Sequence, residues 1–185
     1  MGHHHLKKTS QLNWNSDRLK IGIIARSDVP EAVELTRRLL QALSGTQTVL
    51  EKKVARAVGR RGVKIQEMDV DVMITVGGDG TLLATHMLAP QVPILGINMG
   101  GRGFLAEVSP EGAEEAVKRL VSGELRVEER MTLATFVGKK RLPDAINETA
   151  LVSGSPGRAI EFRVSIDGKN LYETKGDGVI VATPT

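Results

Sequence analysis

The chain has 185 residues, of which 41% are hydrophobic and 25% are charged, a composition typical of a soluble globular protein with one or two domains. It contains no cysteine, which excludes disulfides and thiolate zinc sites, and it has no apolar run of about 18 residues that would span a membrane. The net charge is +3, but residues 1–18 supply two of these charges, so the remainder is nearly neutral and gives no indication of a nucleic-acid partner.

The opening residues look like an added leader that carries His3, His4 and His5, and we exclude residues 1–18 from the fold prediction. The segment is not a secretory signal, and together with the lack of cysteine this favours a cytoplasmic location. Apolar β-rich runs and helical patterns then alternate, which predicts a parallel sheet covered by helices over residues 19–123. We predict strands at 19–25, 48–51, 70–76 and 93–97, and helices at 31–43, 52–61, 80–88 and 110–121.

The pattern changes at about Leu125, where apolar and polar residues begin to alternate with a period of two. This alternation predicts a second, all-β and mainly antiparallel domain over residues 124–185. The chain stops just after its last predicted strand, so we expect this domain to be truncated. The predicted strands are 125–137, 145–152, 158–166 and 178–182.

A buried strand that runs directly into Gly77-Gly78-Asp79-Gly80-Thr81 is the most informative stretch of the sequence. A glycine-rich turn leaves backbone N–H groups open to a ligand, and a helix that begins there favours an anion such as a phosphate. Asp79 would repel that phosphate unless it bound a metal or accepted a proton from a hydroxyl, and both roles occur in phosphoryl transfer. The alternative is that Asp79 only caps the helix.

Two further groups of residues that suit ligand binding follow along the chain. Asn98 to Leu105 form a second glycine-rich turn after the next strand, which would place both turns at one edge of a parallel sheet. Farther on, Asn147-Glu148 interrupt a strand and Lys175 to Gly178 begin a later one. Polar pairs of this kind are often simple turn or edge residues. His86 is interpreted as structural, and the basic residues of 52–61 as a solvated helix face.

Taken together, these motifs resemble those of the NAD kinase family, which phosphorylates the 2′-hydroxyl of the adenosine ribose of NAD to give NADP. The resemblance depends on four motifs in the family's order, and it extends from Leu19 to the last residue: Gly77-Gly78-Asp79-Gly80-Thr81, Asn98-x-Gly100-x-x-Gly103-Phe104-Leu105, Asn147-Glu148, and Gly176-Asp177-Gly178 followed by Thr183-Pro184-Thr185. It implies an α/β domain followed by a β-rich domain, with ATP or polyphosphate as phosphoryl donor and a divalent metal, Mg²⁺ or Mn²⁺.

The resemblance also implies roles for individual residues. Asp79 would accept the proton of the ribose hydroxyl. NAD would be bound by Asp79, Gly80, Asn147, Glu148, Arg158, Lys175 and Asp177. The loops around nucleotide and phosphate would contain Gly77, Gly78, Thr81, Asn98, Gly100, Gly103 and Phe104. The metal ligands are not specified, and the family implies a homo-oligomer, a dimer or a tetramer, with no membrane or nucleic-acid partner.

Some residues depart from the family pattern. Ala84 stands where many members have arginine, and Met99 and Gly101 are uncommon in the second motif, which affects the expected donor contacts. In the family, the segment after Thr185 continues into Gly-Ser-Thr-Ala-Tyr and further strands. Two alternatives remain open. The first is a diacylglycerol or sphingosine type of lipid kinase, which shares the first motif. The second is a nucleotide-binding module without catalysis.

Overall fold

The computed structural model describes residues 8–11, 18–100, 103–155 and 157–184, with backbone only for 8–11. Gly101 and Thr185, both singled out above, therefore lie outside the described residues, as does most of the proposed leader. The chain divides into two units, Met1–Glu129 and Arg130–Thr185.

The first unit alternates strands and helices. Its strands are β1 (Lys8–Gln11), β2 (Lys20–Ala25), β3 (Gln47–Leu50), β4 (Val72–Gly77), β5 (Ile94–Asn98) and β6 (Arg126–Glu129). Its helices are α1 (Pro30–Ala42), α2 (Lys52–Ala57), α3 (Asp79–Leu88) and α4 (Ala113–Val121), and a short 3-10 turn covers Ile65–Glu67.

Four parallel strands form the sheet of this unit in the order β3-β2-β4-β5. Strands β2 and β4 lie in its centre, and their apolar residues are almost continuously buried, as expected for strands with both faces covered. Ile23, Ile74 and Ile97 pack in one core with the apolar sides of α1 and α4. A smaller cluster of Ile24, Met68 and Met73 forms separately.

Three predictions for this unit differ from the structure. Helix α2 ends at Ala57 rather than 61, because Gly59 adopts a φ of +72° that stops the helix. Helix α4 begins at Ala113 rather than 110, because Ser109 Oγ accepts the Gly112 N–H in a preceding turn. Strand β1, which lies within the residues excluded as a leader, pairs antiparallel with β6. Backbone hydrogen bonds make this pairing, and the sequence of β1 has no apolar pattern that predicts a strand.

The second unit consists of antiparallel pairs. Its strands are β7 (Phe136–Val137), β8 (Lys140–Arg141), β9 (Glu148–Val152), β10 (Ile160–Ile166), β11 (Lys169–Gly176) and β12 (Gly178–Ala182). They pair as β7 with β8, β9 with β12 and β10 with β11. A parallel α/β unit followed by antiparallel strands is the fold class predicted from the sequence, which is thereby confirmed.

Individual strands of this unit were less well predicted. The expected strand 125–137 is divided into β6, which belongs to the first unit, and β7, and between them Leu133 makes only an isolated bridge to Ala145. Strand β11 was not predicted, because most of its side chains are polar and exposed. It forms a hairpin with β10 through Asp167 and Gly168, both at positive φ, which is the geometry of a tight two-residue turn.

None of the helices in the described parts of the chain is long and apolar enough to cross a membrane.

Candidate functional site

The two glycine-rich turns of the first unit lie side by side. The first turn begins at Gly77, the last residue of β4, and the second begins at Asn98, the last residue of β5, with residues 98–100 and 103–106 of the second turn described. These two parallel strands are neighbours, with Gly77 opposite Asn98. The Met99 N–H donates to the Gly77 carbonyl at 2.8 Å, which links the turns directly. The structure therefore brings the first two motifs together at the carboxyl edge of the sheet, where open α/β sheets bind ligands.

Asp79 connects the two turns through its side chain. One carboxylate oxygen accepts the Phe104 N–H at 2.8 Å, and the other accepts the Leu105 and Ala106 N–H groups at 3.2 and 3.0 Å. The N-cap position of α3 is occupied by Gly78 without a side-chain cap, so the alternative in which Asp79 only caps this helix is wrong. The dipoles of these peptide groups offset the negative charge of Asp79. The sequence suggested only two ways of offsetting that charge, a bound metal and an accepted proton.

Gly103 is needed for this arrangement. A Cβ atom at Gly103 would lie 2.6 Å from the Ala106 carbonyl oxygen and 2.9 Å from both Asp79 Oδ1 and Asn98 Nδ2. Each of these separations is shorter than real side chains tolerate. The absence of a side chain therefore lets the turn approach close enough for its N–H groups to reach the carboxylate.

Gly78 and Gly80 have open space where a side chain would point. A Cβ at either residue would have no atom within 4 Å, whereas a Cβ at Gly77 would lie 2.3 Å from Thr81 Oγ1. Gly77 and Thr81 thus pack the base of the turn, and Gly78 and Gly80 leave its outer backbone accessible. That surface is suited to close contact with a ligand.

A groove of about 580 Å³ lies beside the second turn. Its lining includes Asn98, Gly100 and Gly103 from the predicted loops, together with Glu107 and Glu111, which we did not predict. Phe104 is 84% exposed, so its ring does not contribute to the core. The predicted loop residues are therefore next to a space large enough for part of a nucleotide.

Arg26 is a further cation at this edge that the sequence did not reveal. Its backbone N–H donates to the Val76 carbonyl at 3.0 Å, and its side chain lies against Gly77. The guanidinium Nε donates to Asp28 Oδ1 at 3.2 Å in an exposed ion pair. Arg26 follows β2 without any glycine-rich pattern, so no sequence signal pointed to it.

The Arg26 guanidinium, by hydrogen bonding to Asp28, holds the pKa of that carboxyl below its usual value. We expect Arg26→Gln to raise the pKa of Asp28 toward that of an ordinary aspartate, as followed by NMR titration of the carboxyl carbon. Because the folded pKa lies below the unfolded one, any stabilisation is present at neutral pH and is lost as the pH falls through the folded pKa. An unchanged Asp28 titration in the variant would show that the ion pair does not form in solution.

In the second unit, Asn147 lies immediately before β9 and Glu148 is its first residue, so the pair is at a strand end and not inside a strand as predicted. The carbonyl of Asn147 accepts the Thr183 N–H at 2.7 Å. The third motif and the Thr183 segment of the fourth are therefore adjacent.

The other predicted NAD-binding residues have different surroundings. Lys175 lies near the end of β11 and not at the start of a strand, and its Nζ pairs with Glu161 at 2.6 Å across the hairpin. Arg158 is in a turn, where its N–H donates to the Ser155 carbonyl at 3.2 Å. The Asp177 carbonyl accepts the Ser153 N–H at 2.8 Å, which places Asp177 beside the end of β9.

A metal site made by protein side chains alone is not found among the described residues, which contain no group of three or more His, Asp or Glu suitably close together.

Comparison with known proteins gives consistent results. Residues 45–125 match the ATP-NAD kinase N-terminal domain family. The chain is 40% identical over 175 residues to the NAD kinase of Thermococcus kodakarensis, covering 90% of this chain and 63% of that protein. It is 40% identical over 174 residues to the NAD kinase of Methanothermobacter thermautotrophicus, covering 90% and 61%. The chain thus spans slightly less than two thirds of these relatives.

Two solved structures have a similar fold. Yeast NADH kinase complexed with NADH superimposes with a TM-score of 0.81 at 21% identity, covering 100% of this chain and 62% of that one. An NAD kinase from Archaeoglobus fulgidus in complex with ATP gives a TM-score of 0.69 at 25% identity, covering 89% and 60%. The first likeness supports the fold alone.

Proposed function

Because residues 45–125 match the ATP-NAD kinase N-terminal domain and the chain is 40% identical to an NAD kinase over 90% of its length, we propose that it takes part in transferring the γ-phosphoryl group of ATP to the 2′-hydroxyl of the adenosine ribose of NAD, giving NADP. The observation that carries this proposal is the carboxylate of Asp79, which accepts hydrogen bonds from the N–H groups of residues 104–106 and so lies fixed between two glycine-rich turns. Fixed acceptors and open backbone donors are what phosphoryl transfer to a hydroxyl requires of a protein.

Asp79 is the proposed proton acceptor. The N–H groups of residues 104–106 hold the carboxylate in one orientation before substrate arrives, which removes the cost of ordering it during the reaction. A fixed acceptor suits this chemistry, because in a loose transition state the attacking hydroxyl needs orientation more than early deprotonation.

The open backbone at Gly78 and Gly80 is the proposed contact surface for the substrates. A Cβ atom placed at either glycine would meet no neighbouring atom within 4 Å, and α3 begins at Asp79 between them. N–H groups and the positive end of a helix dipole favour phosphate oxygens. We assign the phosphates to this surface and the ribose hydroxyl to Asp79.

The proposed NAD contacts of the second unit are Asn147, Glu148, Arg158, Lys175 and Asp177. An amide supplies both donor and acceptor to a base or sugar edge, and a carboxylate accepts from hydroxyls, which suits Asn147 and Glu148. Lys175 would have to exchange its exposed pairing with Glu161 for a ligand phosphate, a small cost because surface ion pairs contribute little.

The requirement for a divalent metal, Mg²⁺ or Mn²⁺, is a prediction that rests on the resemblance to the NAD kinase family. The described residues do not form a protein-only metal site. Magnesium in kinases is held largely by the nucleotide phosphates, so the ion would enter with ATP and neutralise charge on the transferred group. ATP in the Archaeoglobus complex supports ATP over polyphosphate as donor. A homo-oligomer, dimer or tetramer, likewise rests on the resemblance, and the proposed cytoplasmic location rests on the lack of cysteine.

The proposal is tested by incubating the chain with NAD, ATP and Mg²⁺ and measuring NADP by a dehydrogenase that uses only NADP. We expect NADP to form, and we expect NADP supplied as substrate to remain unchanged, because a second phosphate would face Asp79. Replacing ATP with polyphosphate identifies the donor. Phosphorylation of diacylglycerol or sphingosine instead of NAD would favour the lipid kinase alternative. Nucleotide binding without turnover would favour the non-catalytic module.

A further inference from the structure

Burial in the second unit is concentrated at one point. Among its described residues only Ile146 and Thr183 are buried, each with 8% of its surface exposed. Both lie at motifs that the sequence singled out, since Ile146 directly precedes Asn147 and Thr183 belongs to the fourth motif. A unit that otherwise exposes most of its side chains is therefore most firmly packed where these two segments meet.

Hydrogen bonds join the same two residues. The Thr183 hydroxyl donates to the Ile146 carbonyl at 2.7 Å and lies 3.2 Å from the Asn147 carbonyl. The Thr183 N–H donates to the Asn147 carbonyl at 2.7 Å. These contacts continue the pairing of β12 with β9, in which Ala182 lies opposite Glu148, by one residue beyond the strands.

The contacts fix the backbone of Asn147 without engaging its side chain. In the part of the chain that the structure describes, no hydrogen bond to the Asn147 side chain is found, and that side chain is only half-buried. Its carbonyl and that of the preceding residue are both held by Thr183. The backbone that carries the amide is thus held by a neighbour that is 36 residues farther along the chain.

We infer that Thr183 is a positioning residue: its hydroxyl holds the Ile146–Asn147 backbone so that the Asn147 amide is presented to the adenosine part of NAD. The inference rests on the proposed function, in which Asn147 contacts NAD. Thr183 itself acts through Asn147 and does not touch the ligand. Loss of the hydroxyl removes this donor from the Ile146 carbonyl at a buried point, so that the Ile146–Asn147 backbone is held by the Thr183 N–H without the hydroxyl.

The experiment measures the dissociation constant for NAD by calorimetry in four variants: Thr183→Val, Thr183→Ser, Asn147→Ala, and the Thr183→Val/Asn147→Ala double variant. We expect Thr183→Val, which keeps the shape and removes the hydroxyl, to weaken NAD binding about tenfold. Thr183→Ser keeps the hydroxyl and should bind within about threefold of the parent chain. In the Asn147→Ala background, Thr183→Val should change affinity less than about twofold, because the group that it positions is gone.

Ile146→Val is the matched packing control, since it removes one methyl from the same buried point and leaves the hydroxyl in place. It should bind NAD as the parent chain does, although its unfolding temperature falls. Equal weakening by Ile146→Val and Thr183→Val, or additive effects in the double variant, would make Thr183 a purely structural residue and overturn the inference. Unchanged binding in Thr183→Val would also overturn it while leaving the proposed function intact. A parent chain that does not bind NAD would refute the proposed function, and the inference with it.

Discussion

Replacing Asp79 by asparagine is expected to lower kcat for NADP formation by at least about 100-fold and to change the dissociation constant for NAD only a few-fold. An amide has nearly the shape of the carboxylate, but it cannot accept the hydroxyl proton. It also offers one acceptor oxygen in place of two, so its NH₂ group must face one of the peptide N–H groups of residues 104–106. Steady-state kinetics with saturating ATP and titration with NAD measure the two quantities separately.

Asp28→Asn is the control, because Asp28 is an exposed carboxylate that follows the neighbouring strand β2 and makes its ion pair with Arg26. It should leave kcat within a few-fold of the parent value. If Asp79→Asn weakened NAD binding as much as it lowered the rate, Asp79 would be a binding residue. An unchanged rate would refute the catalytic assignment.

Gly103→Ala is expected to lower kcat/KM for NAD by about tenfold or more, although every proposed catalytic side chain is still present. The new methyl would meet the Ala106 carbonyl and Asp79 Oδ1 at distances below 3.0 Å. Since the carbonyl belongs to the backbone, the turn itself must move, and the N–H groups leave Asp79. The forced shift should also cost about 1–3 kcal/mol in the free energy of unfolding, measured with urea.

Gly112→Ala provides the comparison for this variant. A Cβ at Gly112 would find its nearest neighbours at 3.8 Å, and its φ of −84° suits any residue. Its activity and unfolding free energy should stay close to those of the parent chain. Full activity in Gly103→Ala would mean that the contacts between Asp79 and the second turn are not needed for turnover.

The sheet and the position of the site were predictable because they leave a strong local pattern. The strand β4 is a mainly apolar, β-branched run that ends in a glycine cluster, and the next strand β5 is likewise mainly apolar and precedes a second glycine-rich turn. Buried parallel strands are mainly apolar, and their alternation with helices along the chain indicates the fold class. The carboxyl edge then follows from the direction of the strands.

The contacts within the site were not predictable from the sequence. Asp79 binds peptide N–H groups 25 to 27 residues away, and a backbone donor is the same for every residue type except proline. Strand β11 was missed for a related reason: most of its side chains are polar and exposed, and backbone pairing with β10 forms it in place of an apolar face. Local patterns report burial, and this strand buries little. Strand β1 was not predicted because it lies within the residues excluded as a leader.

The hydrogen bonds from residues 104–106 to Asp79 and from Met99 to Gly77 also make the two turns one cooperative unit. Neither turn can open to solvent without breaking bonds that hold the other, so their amide hydrogens share one opening event. The amides of residues 99 and 104–106 should therefore exchange with deuterium at a common rate. A nucleotide that stabilises one turn would slow exchange in both by the same factor.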